Sequence, residues 1–177
     1  MVEEVYDELA PVYDRRYSTE DCLKENMDIK SMIAYEGGKV LDIGCGTGLL
    51  LELFNIGEDE YIGIDPSGKM LEMAHSKFPG HIFMVSDFET FPKRGRVYDY
   101  IICLFGVASY IKPEHIQNIH SHLKKGGRYF LMFYKQGYAP DYLNGNEAII
   151  HRGNEHLIAG DAVEYHNYII KSGRNYA

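Results

Sequence analysis

The sequence predicts an α/β fold: a doubly wound, mostly parallel sheet with helices on both faces and an antiparallel edge near the C-terminal end. Three observations predict it. From Lys39 onward, apolar runs of strand length alternate with segments of helix length. The first strand ends in a glycine-rich turn, Gly44-Cys45-Gly46-Thr47-Gly48, at the kind of place where open parallel sheets receive ligands. After Tyr134, glycines and prolines punctuate the chain and leave two short apolar stretches suited to an added edge.

Taken in order, the segment to Glu36 reads as helical in two pieces, broken near Pro11 and Ser18. Ser18 with Asp21 has capping-box spacing, and Gly37–Gly38 supplies a stop. Lys39–Ile43 reads as a buried parallel strand, and a helix from Gly48 turns Leu49, Leu50, Leu53 and Phe54 toward the sheet. Tyr61–Ile64 is the second strand, followed by a helix from Ser67, a good N-cap, to Phe78. His81–Val85 and Val97–Leu104 are the third and fourth strands. Pro113 opens a helix to Lys125, Gly126–Gly127 stops it, and Arg128–Tyr134 is the fifth strand. Ala148–Arg152 and Val163–Lys171 are the candidate edge strands. Strand–helix alternation of this length implies right-handed crossovers.

With no repeat and no linker, residues 1–177 read as one domain. It comprises an N-terminal helical cap (1–36), a ligand-binding core (39–134) and a C-terminal edge (135–177). A hydrophobic content of 45% and a charged content of 25% are those of an ordinary globular protein. The net charge of -8 argues against binding nucleic acid through its phosphates. The basic clusters Lys93–Arg96 and Lys124–Lys125 read as solvated. Cys22, Cys45 and Cys103 form no CxxC pair, so neither a disulfide framework nor a metal site is expected. The first residues are acidic, and the longest apolar run, Tyr100–Ile111, is too short to span a bilayer. The expectation is a soluble, cytoplasmic protein.

The chemistry concentrates in Val40-Leu41-Asp42-Ile43-Gly44-Cys45-Gly46-Thr47-Gly48-Leu49. The backbone has to turn sharply here, and a ligand can lie against it only if no Cβ intervenes. The spacing is G-x-G-x-G, not the G-x-G-x-x-G of dinucleotide sites, and Asp42 precedes it. A carboxylate beside the turn repels a pyrophosphate but can hold an amine. S-adenosylmethionine carries that amine and no phosphate, so the chemistry favours it over NAD. Asp65, ending the second strand, can accept from both ribose hydroxyls. After the third strand, Asp87 can accept from an adenine amine and Phe88 offers an apolar wall. Taken alone, Asp87 and Phe88 also read as a turn cap beside a core ring.

The segments VLDIGCGTG, YIGIDPSGKML, SDFE, VYDYIICLFGVASYI and LKKGGRYFLMF resemble successive motifs of the Rossmann-like (class I) S-adenosylmethionine-dependent methyltransferases. The likeness runs from Lys39 to Tyr134, and Tyr6–Asp14 is similar to the opening helix of the small-molecule and quinone-biosynthesis branch. The resemblance implies that Asp42, Gly44, Gly46 and Gly48 border the methionine part of the cofactor, with Cys45 a backbone contact. It implies Asp65 on the ribose with Pro66 and Met70 nearby, Asp87 and Phe88 at the adenine, and Leu104 and Phe105 under the sulfonium. An aromatic residue at Tyr13 would close over the cofactor.

Methyl transfer from a sulfonium needs alignment and exclusion of water more than acid–base help. The acceptor side therefore shows only candidates: Tyr13, Tyr17, Ser109, Tyr110, His151, His156 and His166. The fourth strand ends Cys103-Leu104-Phe105-Gly106. It lacks the Asn/Asp-Pro-Pro-aromatic motif of enzymes that methylate nucleic-acid bases, which, with the acidic balance, points to a small molecule or a protein side chain as acceptor. Residues 135–177 offer no evident lid. A cofactor-binding regulatory or partner subunit without its own chemistry is the alternative reading, and an NAD-linked enzyme is a third.

Overall fold

The computed structural model describes residues 2–93, 95, 97–143, 145 and 149–177. Arg94 and Arg96 of the expected basic cluster, and Ala148 of an expected strand, lie outside the described residues. The strands are β1 (Val40–Ile43), β2 (Tyr61–Asp65), β3 (Ile82–Val85), β4 (Tyr98–Cys103), β5 (Leu123–Tyr134), β6 (Asp161–Tyr165) and β7 (Tyr168–Arg174). They form one sheet in the order β3-β2-β1-β4-β5-β7-β6. Pairings among β1 to β5 are parallel, whereas β7 runs antiparallel to both β5 and β6. The predicted fold class is the observed one.

Strand alternation sorts the apolar side chains onto two faces. Leu41, Ile43, Ile101, Cys103, Leu131 and Phe133 pack on one side with Ile111, Ile116, Ile119 and Ile158 from the segments that cover it. Val40, Tyr100, Ile102, Phe130 and Met132 pack on the other with Ile29 and Ile33 of helix α3 (Glu20–Ile33) and Leu50 and Leu51 of helix α4 (Leu49–Leu53). Both faces of the central strands are thus sealed, as near-continuous apolar strands require. Helix α5 (Gly68–Lys77) starts at Ser67, whose hydroxyl accepts from the Met70 N–H, as expected for a cap.

The N-terminal cap is more broken than its sequence pattern suggested. Helix α1 (Val2–Leu9) passes through a 3-10 turn at Ala10–Val12 into the short helix α2 (Tyr13–Arg16), and α3 follows. The α3 cap is Thr19, which accepts from the Cys22 N–H, while the Ser18 hydroxyl turns back to the Arg15 carbonyl. That helix also ends before the glycines, with Ala34 taking the left-handed conformation (φ 48). In α4, Leu50, Leu51 and Leu53 are buried, whereas Leu49 faces a cavity.

The segment expected as a helix to Lys125 is helical only over α6 (Pro113–Ile116), followed by a 3-10 turn at Gln117–Ser121. Strand β5 begins at Leu123 and carries Gly126 and Gly127 through a register shift. Asn175 explains why these glycines do not end a helix: it accepts from the Gly126 N–H through its carbonyl and donates its own N–H to Gly127. Its side-chain amide reaches the carbonyls of His120, Leu123 and Lys124, which a continuing helix would otherwise have used. At the edge, Val163–Lys171 is not one strand. His166 (φ 47) sits at the turn between β6 and β7. Ile149 and Ile150 lie outside any strand.

Candidate functional site

The sheet changes winding direction at β1, which has β2 on one side and β4 on the other. A cavity of about 260 Å³ opens beyond the carboxyl ends of these strands, where ligands of open α/β sheets bind. Of the residues singled out from sequence, Tyr13, Asp42, Gly44, Cys45, Gly46, Asp65, Pro66, Met70, Asp87, Phe88, Leu104 and Phe105 all line it. Gly48 does not. It caps α4 at φ 91, where a Cβ would crowd the Phe78 ring at 3.0 Å, so it serves packing behind the turn.

The other two glycines of the bend have different reasons. Gly44 (φ 68) passes so close to Val107 that an added Cβ would stand 2.4 Å from its Cγ1. Gly46 (φ 52) has nothing within 4 Å of a Cβ position. Open space above a left-handed glycine is a cradle that a side chain would fill. The bend is held by the Gly44 and Cys45 N–H groups, both donating to the Ile64 carbonyl. Burial pushes the Cys45 thiol well up, so it remains protonated and unreactive.

Two buried carboxylates flank this cradle. Asp65 accepts from the Gly46 N–H at 3.0 Å through Oδ2 and from the Ser67 N–H at 2.9 Å through Oδ1. Both bonds come from rigid backbone, so the carboxylate is oriented before any ligand arrives. Burial pushes its pKa up to about 6 against these bonds. Asp42 accepts from the Tyr61 hydroxyl at 2.8 Å, and burial pushes it up to about 7. Both groups gain most from a ligand that brings hydrogen-bond donors or positive charge. Asp87 is exposed and accepts from the Thr90 N–H and hydroxyl through Oδ1, the turn-capping geometry also read from sequence. Phe88 is buried against the His122 ring and also lines the cavity.

Phe105 lies at the mouth of β4 with φ 47. A non-glycine residue held there signals a constraint imposed by the surrounding structure. Its N–H points to the Met132 sulfur at 3.4 Å. Sequence reasoning missed Tyr6, Thr47, Ser86 and Val107, which also line the cavity. Tyr6 lay within the segment singled out at the N-terminus, yet nothing distinguishes one tyrosine from the other 14 of the chain's 15. The remaining three are ordinary residues brought in by the turns.

A second cavity of about 400 Å³ shares Tyr13, Thr47, Leu49 and Phe105 with the first. Of the acceptor-side candidates, Tyr13 and Tyr17 line it, and Tyr110 lines the first cavity. Ser109 is buried, its hydroxyl accepting from the Tyr134 N–H. His151, His156 and His166 line neither cavity, and His156 faces Glu155 at the surface.

A family profile described as a methyltransferase domain matches residues 40–127. The solved structure of a Thermotoga maritima protein, titled a SAM-dependent methyltransferase and possible histamine N-methyltransferase, superposes with a TM-score of 0.69. The match covers 99% of this chain and 100% of that one at 15% identity. The fold is that of class I S-adenosylmethionine-dependent methyltransferases. Among curated sequences, an uncharacterized methyltransferase of Oceanobacillus iheyensis is 29% identical over 134 residues, covering 70% of this chain and 62% of that protein. A ubiquinone/menaquinone biosynthesis C-methyltransferase of Campylobacter jejuni is 25% identical over 139 residues, covering 70% of this chain and 59% of that one. This methyltransferase fold thus spans about three-fifths of the length of those relatives.

Proposed function

We propose that the protein is an S-adenosylmethionine-dependent methyltransferase acting on a small molecule. One observation carries the reading: an open left-handed glycine cradle flanked by two buried, pre-oriented carboxylates at the point where the sheet reverses. These residues fit a phosphate-free nucleoside carrying an amino acid. Asp65 would take the ribose hydroxyls, Asp42 the amino group directly or through water, Gly44 and Gly46 the methionine chain, and Asp87 and Phe88 the adenine. Pro66, Met70, Leu104 and Phe105 would supply apolar walls, and Tyr13 would close the mouth. When bound, the cofactor supplies an electrophilic methyl group already activated by its sulfonium charge.

What the chain itself contributes is placement. The strained Phe105 and the rim it shares with Tyr13 fix the boundary between the two cavities, and such positioning lowers a displacement barrier without a general base. A place beside the small-molecule and quinone-biosynthesis branch has the support of the Tyr6–Asp14 segment and of the Campylobacter relative. The relatives' names point to different acceptor atoms, carbon in one and nitrogen in another, so they do not choose among acceptors. The enzyme reads as one domain over residues 1–177, acting in the cytoplasm on metabolites and not on nucleic acid. The net charge of -8 supports that reading. Among the described residues, no helix is long and apolar enough to cross a membrane.

A thermal-shift panel tests the proposal. S-adenosylmethionine and S-adenosylhomocysteine should raise the melting temperature while NAD does not, and incubation with a metabolite extract should convert the first into the second. Stabilisation by NAD alone would refute the cofactor assignment. Stabilisation without turnover would favour the regulatory-subunit reading.

A further inference from the structure

The second cavity is built from rings and carboxylates. Tyr13, Tyr17, Tyr134, Tyr138, Tyr142 and Tyr168 line it, together with Asp14, Glu25 and Glu52, and among the described residues its lining includes no Lys, Arg or His. The rings form a continuous wall: Tyr134 packs on Tyr138 at 5.5 Å and on Tyr168 at 5.8 Å, and Phe105 meets Tyr168 at 5.9 Å between centroids. Tyr13 packs on Tyr17 at 4.7 Å in the same lining.

The three carboxylates are not equivalent. Lys77 holds both Asp14, at 2.9 Å, and Glu52, at 2.6 Å, and Asp14 also accepts from Thr47. Glu25 has no hydrogen-bond or ion-pair partner among the described residues, although it is half-buried and lines the cavity with Tyr138 and Tyr168, whose phenols burial pushes up and the Glu25 charge pushes further. The basic group acting on it is the exposed His166 at the hairpin turn, while neighbouring Asp28 adds negative charge. A carboxylate with no direct ion pair, beside a wall of electron-rich rings, is arranged to receive a cation. Ring faces attract ammonium groups, and a desolvated carboxylate adds a charge-assisted hydrogen bond.

We propose that this cavity is the acceptor site and that it takes a small molecule bearing an amine, bound in its protonated form with Glu25 as counter-ion and the Tyr138 and Tyr168 rings as its wall. The inference rests on the methyltransferase reading for the word acceptor, because the shared rim at Tyr13 and Phe105 is what joins the two cavities. An acceptor with a neutral polar head and a long apolar tail would leave the Glu25 carboxylate desolvated and unpaired, which is the costly arrangement.

Calorimetry with purified protein separates the two claims. S-adenosylhomocysteine is titrated first, alone, and then a panel of aromatic and aliphatic amines into the saturated protein, each amine paired with its hydroxyl isostere (tyramine with tyrosol, for example). The expected result is that at least one amine binds tenfold or more tightly than its isostere. Glu25→Gln should remove that advantage while leaving the isostere's affinity and the S-adenosylhomocysteine affinity as they were. Equal binding of every pair, no binding by any amine, or an advantage that survives Glu25→Gln overturns the proposal even if S-adenosylhomocysteine binds normally. Failure of S-adenosylhomocysteine to bind would overturn the acceptor assignment together with the cofactor reading.

Discussion

Asp65 shows how a single side chain is made ready by its backbone. Its two oxygens are pinned by the Gly46 and Ser67 N–H groups, and each oxygen keeps lone-pair capacity for a ligand hydroxyl. Asp65→Ala should weaken S-adenosylhomocysteine binding about 10- to 100-fold, the equivalent of about 1.5–3 kcal/mol for hydrogen bonds to a charged group. An unchanged affinity in calorimetry would remove Asp65 from the site. Asp42 makes a pH prediction. Burial holds its folded pKa up to about 7, whereas in an unfolded chain an Asp ionises near pH ~4. Between these values the folded state keeps a proton that the unfolded state has lost, so stability falls as pH rises through that window. Asp42→Asn, which can still accept from Tyr61, should therefore melt higher than the parent protein at about pH 8 and approach it at about pH 4. A gap that is flat with pH would contradict the assignment. Affinity for the cationic cofactor has the opposite slope and should tighten as Asp42 and Asp65 ionise.

At the scale of elements, the bend after β1 joins sterics to function. Gly44→Ala adds a Cβ against Val107 and forces a non-glycine residue to φ 68, at a cost on the order of 1–3 kcal/mol for the backbone alone. Pairing it with Val107→Ala removes the two closest contacts and should recover most of the steric part while leaving the backbone part, readable as two steps in denaturant midpoints. Full recovery would mean that the left-handed φ is not needed. The five parallel strands were legible in the sequence because each is a short apolar run beside a turn signal, and the three acidic positions fall at successive strand ends. The Pro113–Lys125 segment was misread because its helical pattern competes with a partner more than fifty residues away. Asn175, buried at 3% exposure, takes up three carbonyls there. Asn175→Ala should cost about 1–3 kcal/mol, as the loss of buried hydrogen bonds does. The edge hairpin was compressed into a single strand because His166, which is not a usual turn former, takes the left-handed position. Individual lining residues such as Thr47 and Val107 carry no sequence signal because only the folded turn brings them to the cavity.

Across the whole molecule, the cap meets the core and the C-terminal edge through polar contacts. Asp7 accepts from the Ser67 hydroxyl and the Lys69 N–H, Asp14 from Thr47 and Lys77, and Arg16 pairs with Asp141. The Tyr6 and Tyr142 hydroxyls lie 2.8 Å apart. The second cavity is lined by the cap, the Tyr138–Tyr142 region and the turn at Asn167. Ligand bound beneath α1 and α2 should slow amide hydrogen exchange over residues 2–16, because local opening would have to break those contacts as well. Unchanged exchange would argue that the cap does not respond to the cofactor. The most direct measurement of the central claim is a crystal structure grown with S-adenosylhomocysteine. The account predicts the ribose on Asp65, the amino group toward Asp42, and the sulfur facing the Tyr13–Phe105 rim. A nucleoside seated elsewhere, or one whose sulfur turns away from the second cavity, would contradict it.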